Sequence, residues 1–97
     1  MSELKASYET MLLEKLKHDD QSAFTIIFTK YYQDLVQFSY NYTRNQDASE
    51  EIVEEVFLTL WENRKFLVIH SSLKSFLLKT VQNRSIDNLR HATITHK

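Results

Sequence analysis

Within LKSFLLKTVQNRSIDNLRH, residues 73–91, Phe76, Lys79, Asn83 and Arg90 recur at intervals that a helix brings to one side. An aromatic ring can stack on an unpaired base for roughly 1 to 3 kcal/mol. Lys and Arg neutralise phosphates, and an amide holds both the donor and the acceptor needed to read a base edge. Together these groups suit single-stranded nucleic acid better than a duplex, because stacking needs a base already out of its pair. The same residues allow a plainer reading, in which Phe76 and Ile86 pack beneath another helix and the charges are only solvated. The residues by themselves leave both readings open.

A second set lies upstream. A helical wheel over residues 48–64 puts Ile52, Val53, Val56, Phe57, Leu60 and Trp61 on one half. Glu51, Glu54, Glu55, Leu58, Thr59 and Glu62 fall on the other. An acidic helix face is ordinarily just solvated. Leu58, an apolar side chain ringed by like charges, resembles a small hot spot with a polar rim, which would suit a basic protein partner.

Other chemistries find little support. His18, His70, His91 and His96 contain no pair at the i, i+4 spacing of a helical metal site. A chain without Gly has no Gly-rich phosphate loop. The glutamates at 50, 51, 54, 55 and 62 could imitate the carboxylate metal site of a helical enzyme, with Glu51, Glu55 and Glu62 as ligands. Such sites use inward-facing glutamates and a Glu-x-x-His pair, which is missing. No enzymatic activity, cofactor or metal is expected.

These residues must be carried by few, simple elements. The 97 residues, 42% hydrophobic and 26% charged, fit one soluble domain. With no Gly and no Pro to make the many turns of a sheet, the expected fold is all-α, a small bundle of three to four helices. The absence of Cys excludes disulfides and fits a reducing compartment, and neither a signal peptide nor a membrane-spanning run is apparent, so a cytoplasmic location is expected.

Periodicity predicts a first helix over residues 7–18 with Tyr8, Met11, Leu12 and Leu16 inward. Asp19 or Asp20 would cap a second, ending near residue 42, with Phe24, Ile27, Phe28, Tyr31, Leu35, Phe38 and Tyr42 as its stripe. A capping box of Asp47 and Glu50 would open the third. Residues 65–72, KFLVIHSS, read as a packed loop, and Ser71 or Ser72 would cap the fourth helix. On that helix Leu73, Leu77, Leu78, Val81 and Leu89 form the inner arc, opposite Phe76, Lys79, Asn83, Ile86, Asp87 and Arg90. The tail ATITHK has no helix terminator and reads as a cut within a longer protein.

Charge is uneven along the chain. Residues 1–62 hold five Lys or Arg against twelve Asp or Glu, and residues 63–97 hold seven against Asp87 alone. Either one end meets a polyanion and the other a basic partner, or the halves neutralise each other by packing.

AFTIIFTKYYQDLVQFSYNYTRNQDASEEIVEEVFLTLWENR followed by SLKSFLLKTVQNRSIDNLRH resembles conserved region 2 of bacterial RNA polymerase sigma factors of the extracytoplasmic-function group, part of the sigma-70 family. The resemblance covers residues 20–91 and rests most on EEIVEEVFLTLWENR and FLLKTVQNRSIDNLR. It implies a transcription initiation domain whose third helix, through Glu51, Glu54, Glu55, Leu58 and Glu62, docks on the clamp helices of the largest subunit of core RNA polymerase. It implies further that the fourth helix and the loop before it capture flipped non-template-strand bases at the minus-ten promoter element. Phe76 stands at the family's usual aromatic and Asn83 at its frequent asparagine. Lys74, Lys79, Arg84 and Arg90 would hold the backbone, and His70, Ser71 and Ser72 would read the base that sets promoter choice. Glu51 and Glu54 stand where the family often has Asp and Gln, which makes the docking face more acidic. The second, helix-turn-helix domain of such sigma factors is missing from these 97 residues. The rival reading is a sigma-like module that occupies an anti-sigma factor and never touches DNA; erosion of the fourth helix's outer stripe would mark it, and no erosion is visible.

Overall fold

The computed structural model describes the backbone of residues 2–95 and the side-chain surroundings of residues 8–91. Four helices, α1 (Ser2–Lys17), α2 (Gln21–Thr43), α3 (Gln46–Glu62) and α4 (Leu73–Thr95), carry the fold, with a 3-10 turn over Arg64–Phe66 after α3. No strand occurs among the described residues, so the architecture is the expected all-α bundle. Helix α2 lies at its centre and packs on α1, α3 and α4, while α3 and α4 also pack on each other.

The helix ends are closed without glycine. Asp20 caps α2, its carboxylate accepting from the backbone N–H of Ser22 at 2.9 Å and of Ala23 at 3.3 Å. Those amides, with the Ser22 hydroxyl as the larger influence, hold its pKa below the usual carboxylate range. The residue before it, Asp19, takes φ 65°, and Arg44, after α2, takes φ 57°. Both lie in the left-handed region that glycine would ordinarily occupy. Arg44 N–H then bonds to the Tyr40 carbonyl at 2.9 Å and closes the last turn of α2. The expected Asp47–Glu50 capping box is replaced: α3 begins two residues earlier, with Asn45 Oδ1 accepting from Ala48 N–H at 2.9 Å. Asp47 thereby falls inside the first turn, and Glu50 accepts from the Gln46 amide at 2.7 Å. Ser72 caps α4, its hydroxyl accepting from Ser75 N–H at 3.1 Å.

The core draws on all four helices: Leu12 and Leu16, then Ala23, Ile27, Tyr31, Leu35 and Val36, then Ile52, Val53, Val56, Phe57 and Leu60, then Leu73, Leu77 and Val81. Each fully buried Leu, Ile, Val or Phe contributes roughly 1.5 to 3 kcal/mol of transfer free energy. An aromatic block joins α2 to α3, where Phe28 lies 4.8 Å from Phe57 and Phe24 meets Trp61 edge-on at 5.3 Å. Deeper, the hydroxyls of Ser39 and Ser85, both wholly buried, bond at 2.7 Å and tie α2 to α4.

Three expected inward positions are corrected. Tyr8 and Met11 are exposed, because α1 packs mainly on α2 and the 3-10 turn and buries there the narrower line of Leu12 and Leu16. Leu89 is exposed as well, and Ser85 ends the inner line of α4. Four steps of four residues turn a helix by about 160°, which carries Leu89 nearly opposite Leu73.

Candidate nucleic-acid interface

The outer side of α4 begins at its cap. His70, Ser71 and Ser72 are exposed just ahead of it, and Ser72 spends its hydroxyl on Ser75. Along the helix Lys74, Lys79, Asn83 and Arg90 are exposed. Phe76, spaced by sevens from Asn83 and Arg90, is half-buried and turns part of its ring onto the core. An outward-facing ring, as the wheel predicts, is therefore only part of the picture. The core contact fixes the ring's position, and its remaining surface stays open beside Asn83 and Lys79. The structure thus brings a ring edge, an amide and cations onto one side of a rod.

The two halves of the uneven charge neutralise each other in part. Among the described residues, three cations of the basic half pair with acids of the acidic half. Arg64 and Lys65 reach Asp19 at 2.7 and 3.1 Å, and Arg84 reaches Glu55 at 3.4 Å and the Thr59 hydroxyl at 3.1 Å. Arg84 thus bridges α4 to α3. Among the described residues Arg90 pairs with Asp87 of its own helix, at 3.9 Å with both exposed, and Lys74 and Lys79 have no ion-pair partner. Positive charge consequently survives where the ring and the amide are.

The α3 face agrees with its wheel. Glu51, Glu54, Glu55 and Glu62 are exposed, and Leu58 stands among them 57% exposed. Tyr32 of α2 lies at the edge of this face. Its hydroxyl pKa is raised by burial first and then by the nearby Glu54 and Glu50 carboxylates. Among the described residues no group of three or more His, Asp or Glu side chains could hold a metal ion.

Residues 64–68 show what sequence reasoning missed. Arg64 does not simply end α3: its guanidinium stacks 3.9 Å from the centre of the Trp61 ring and donates to the Trp61 carbonyl at 2.7 Å. The expected packed loop is packed on one side only, with Leu67 and Ile69 half-buried and Phe66 and Val68 83% and 68% exposed. The run FLVI is apolar throughout, so the sequence did not say which of its side chains face out; the alternating burial is what an extended segment on a surface produces. No local pattern pointed to Asp19, which is 45 residues from Arg64.

Among the described residues no helix is long and apolar enough to cross a membrane. The chain matches no curated protein and no solved structure. It does match the family model of sigma-70 region 2, over residues 27–94, a span that takes in most of α2, all of α3 and nearly all of α4. An all-helical bundle with an acidic face on one helix and a ring, an amide and cations along another belongs, by this match, to the sigma-70 region 2 family, the sigma factor domain involved in RNA polymerase binding and promoter recognition.

Proposed function

We propose that this domain, of the extracytoplasmic-function type, docks on core RNA polymerase through α3 and opens the minus-ten element by holding extruded non-template-strand bases on α4. In this reading Leu58 enters a small apolar depression on the clamp helices of the largest subunit, and Glu51, Glu54 and Glu62 meet basic groups around it. Glu55, shared with Arg84, contributes less. On the other surface the open edge of Phe76 stacks on a flipped base and Asn83 reads an edge. Lys74, Lys79 and Arg90 neutralise phosphates, while His70 and Ser71 meet the base nearest the start of α4. Arg84 acts chiefly by joining the two working helices. Binding favours the open strand because the domain has affinity for bases only once they leave the stack.

The observation that carries the reading is the exposed line of Lys79, Asn83 and Arg90 beside the half-open ring of Phe76. The test is binding of a single-stranded minus-ten oligonucleotide to the chain on core polymerase. Asn83→Ala, at an exposed site that leaves folding intact, weakens binding, and Phe76→Ala weakens it by roughly 1 to 3 kcal/mol. Wild-type affinity in both variants would reject the DNA half and leave the module that only occupies an anti-sigma factor.

A further inference from the structure

The segment that leads into α4 is held from behind by α1. Asp19, at the corner between α1 and α2, accepts from Arg64 Nε at 2.9 Å and Nη2 at 2.7 Å, and Lys65 Nζ lies 3.1 Å away. Lys65 also donates to the Lys17 carbonyl at 3.2 Å, so the 3-10 turn is fastened to the end of α1 as well as to Asp19. These donors, Arg64 first, hold the Asp19 carboxyl below its ordinary pKa. Past the turn, Leu67 is extended at φ −70° and ψ 122°, and burial alternates, with Leu67 and Ile69 inward and Val68 and His70 outward. Leu67 and Ile69 line a groove of about 270 Å³ together with Leu13 and Lys17 of α1.

An isolated surface ion pair has little consequence, since two mobile side chains lose entropy for a screened attraction. This one differs in construction. One carboxylate oxygen gathers three nitrogen donors, and the guanidinium is already fixed by the Trp61 ring and carbonyl. Only six residues separate Phe66 from Leu73, the first residue of α4, and the Ser72 cap fixes the far end. A short segment pinned at both ends has few conformations left, and releasing one end restores many. Leu13, Lys17 and Asp19 all precede residue 27, where the family match begins.

Resting on the reading that residues 70–72 meet a base, we infer that Asp19 is a positioning residue for promoter discrimination: by gripping Arg64 and Lys65 it sets the course of residues 67–72 and hence which base they favour. Loss of the grip leaves the α4 contacts in place, so affinity for a strand persists while preference among bases fades.

Asp19→Gly tests this, because glycine suits φ 65° and removes the carboxylate together with its Cβ. Amide exchange at residues 66–72 is measured in the full chain. Affinities are then measured on core polymerase for four single-stranded minus-ten oligonucleotides that differ in the base opposite residues 70–72. Asp19→Gly speeds exchange in that segment and compresses the ratio of best to worst base by about threefold or more. Arg64→Gln, which leaves the corner untouched, does the same. An unchanged ratio or unchanged exchange in Asp19→Gly overturns the inference, as does a wild-type chain that binds all four bases alike. Asn83→Ala in parallel separates the two ideas. If it loses affinity for every oligonucleotide while Asp19→Gly keeps the wild-type ratio, positioning alone has failed; if it binds as wild type, the DNA reading has failed.

Discussion

Truncating Leu58 to alanine isolates the apolar part of the proposed α3 docking face. Leu58 leaves 57% of its surface in water, so its side chain contributes little to the fold and has much to gain from a partner. Fully burying a leucine is worth roughly 1.5 to 3 kcal/mol, so covering the open fraction of Leu58 is worth about 1 to 1.5 kcal/mol. At 1.4 kcal/mol per decade, Leu58→Ala weakens core polymerase binding about five- to tenfold. Alanine is the better helix former and the site is outside the core, so thermal stability stays within about 0.5 kcal/mol of wild type. Fluorescence anisotropy of a labelled chain titrated with core polymerase gives the affinity, and circular dichroism checks the fold. Repeating the titration in high salt separates the contributions, because screening shortens from about 10 Å at 0.1 M to about 3 Å at 1 M. Wild-type affinity falls with salt as the surrounding glutamates lose their attraction, while the ratio between wild type and Leu58→Ala persists. A folded Leu58→Ala chain with wild-type affinity would refute the docking face.

Two further outcomes test the bundle beneath the sites. Ser85→Ala leaves the buried Ser39 hydroxyl without its 2.7 Å partner and costs about 1 to 3 kcal/mol, whereas Ser39→Ala combined with Ser85→Ala costs less than either single change. Thermal melts of the three variants decide it, and a double variant at the sum of the singles would show that the pairing is not what stabilises the contact. Tyr31 gives an alkaline limit: burial first, then its 2.6 Å bond to Glu9, holds its hydroxyl pKa above the ordinary value. The folded state therefore keeps this proton more tightly than the unfolded chain, so the contribution is complete below about pH 10 and is lost as pH rises further. Tyr31→Phe flattens the fall in melting temperature between pH 9 and 11, and an unchanged slope would show that another group governs it.

The helices were readable because their cause is local. A period of 3.6 in apolar residues places Ile52, Val53, Val56, Phe57 and Leu60 on one side of α3 whatever it packs against, and leaves Leu58 and the glutamates on the other. Caps were harder. Asp47 and Glu50 have the spacing of a capping box, yet Asn45 reaches the first turn earlier, and both patterns are compatible with the same eight residues. Sequence also placed Lys79, Asn83 and Arg90 along one side of α4, since that follows from spacing alone. It left Phe76 undecided between ring-outward and ring-inward, and the bundle leaves it half-buried, as neither reading had it.

What the sequence settled by itself is what depends on neighbours within a turn or two: helical class, the two chemically distinct faces and the absence of glycine from every chain reversal. Pairing across long separations belongs to the tertiary structure. Only packing decided that Arg84 turns to Glu55 and Thr59, that Lys74 and Lys79 keep their charge unpaired among the described residues, and that Asp19 holds Arg64. Charge is long-ranged and carries no register, so a count of cations cannot say which carboxylate each will meet. That choice follows from the angles at which four rods bury their apolar sides.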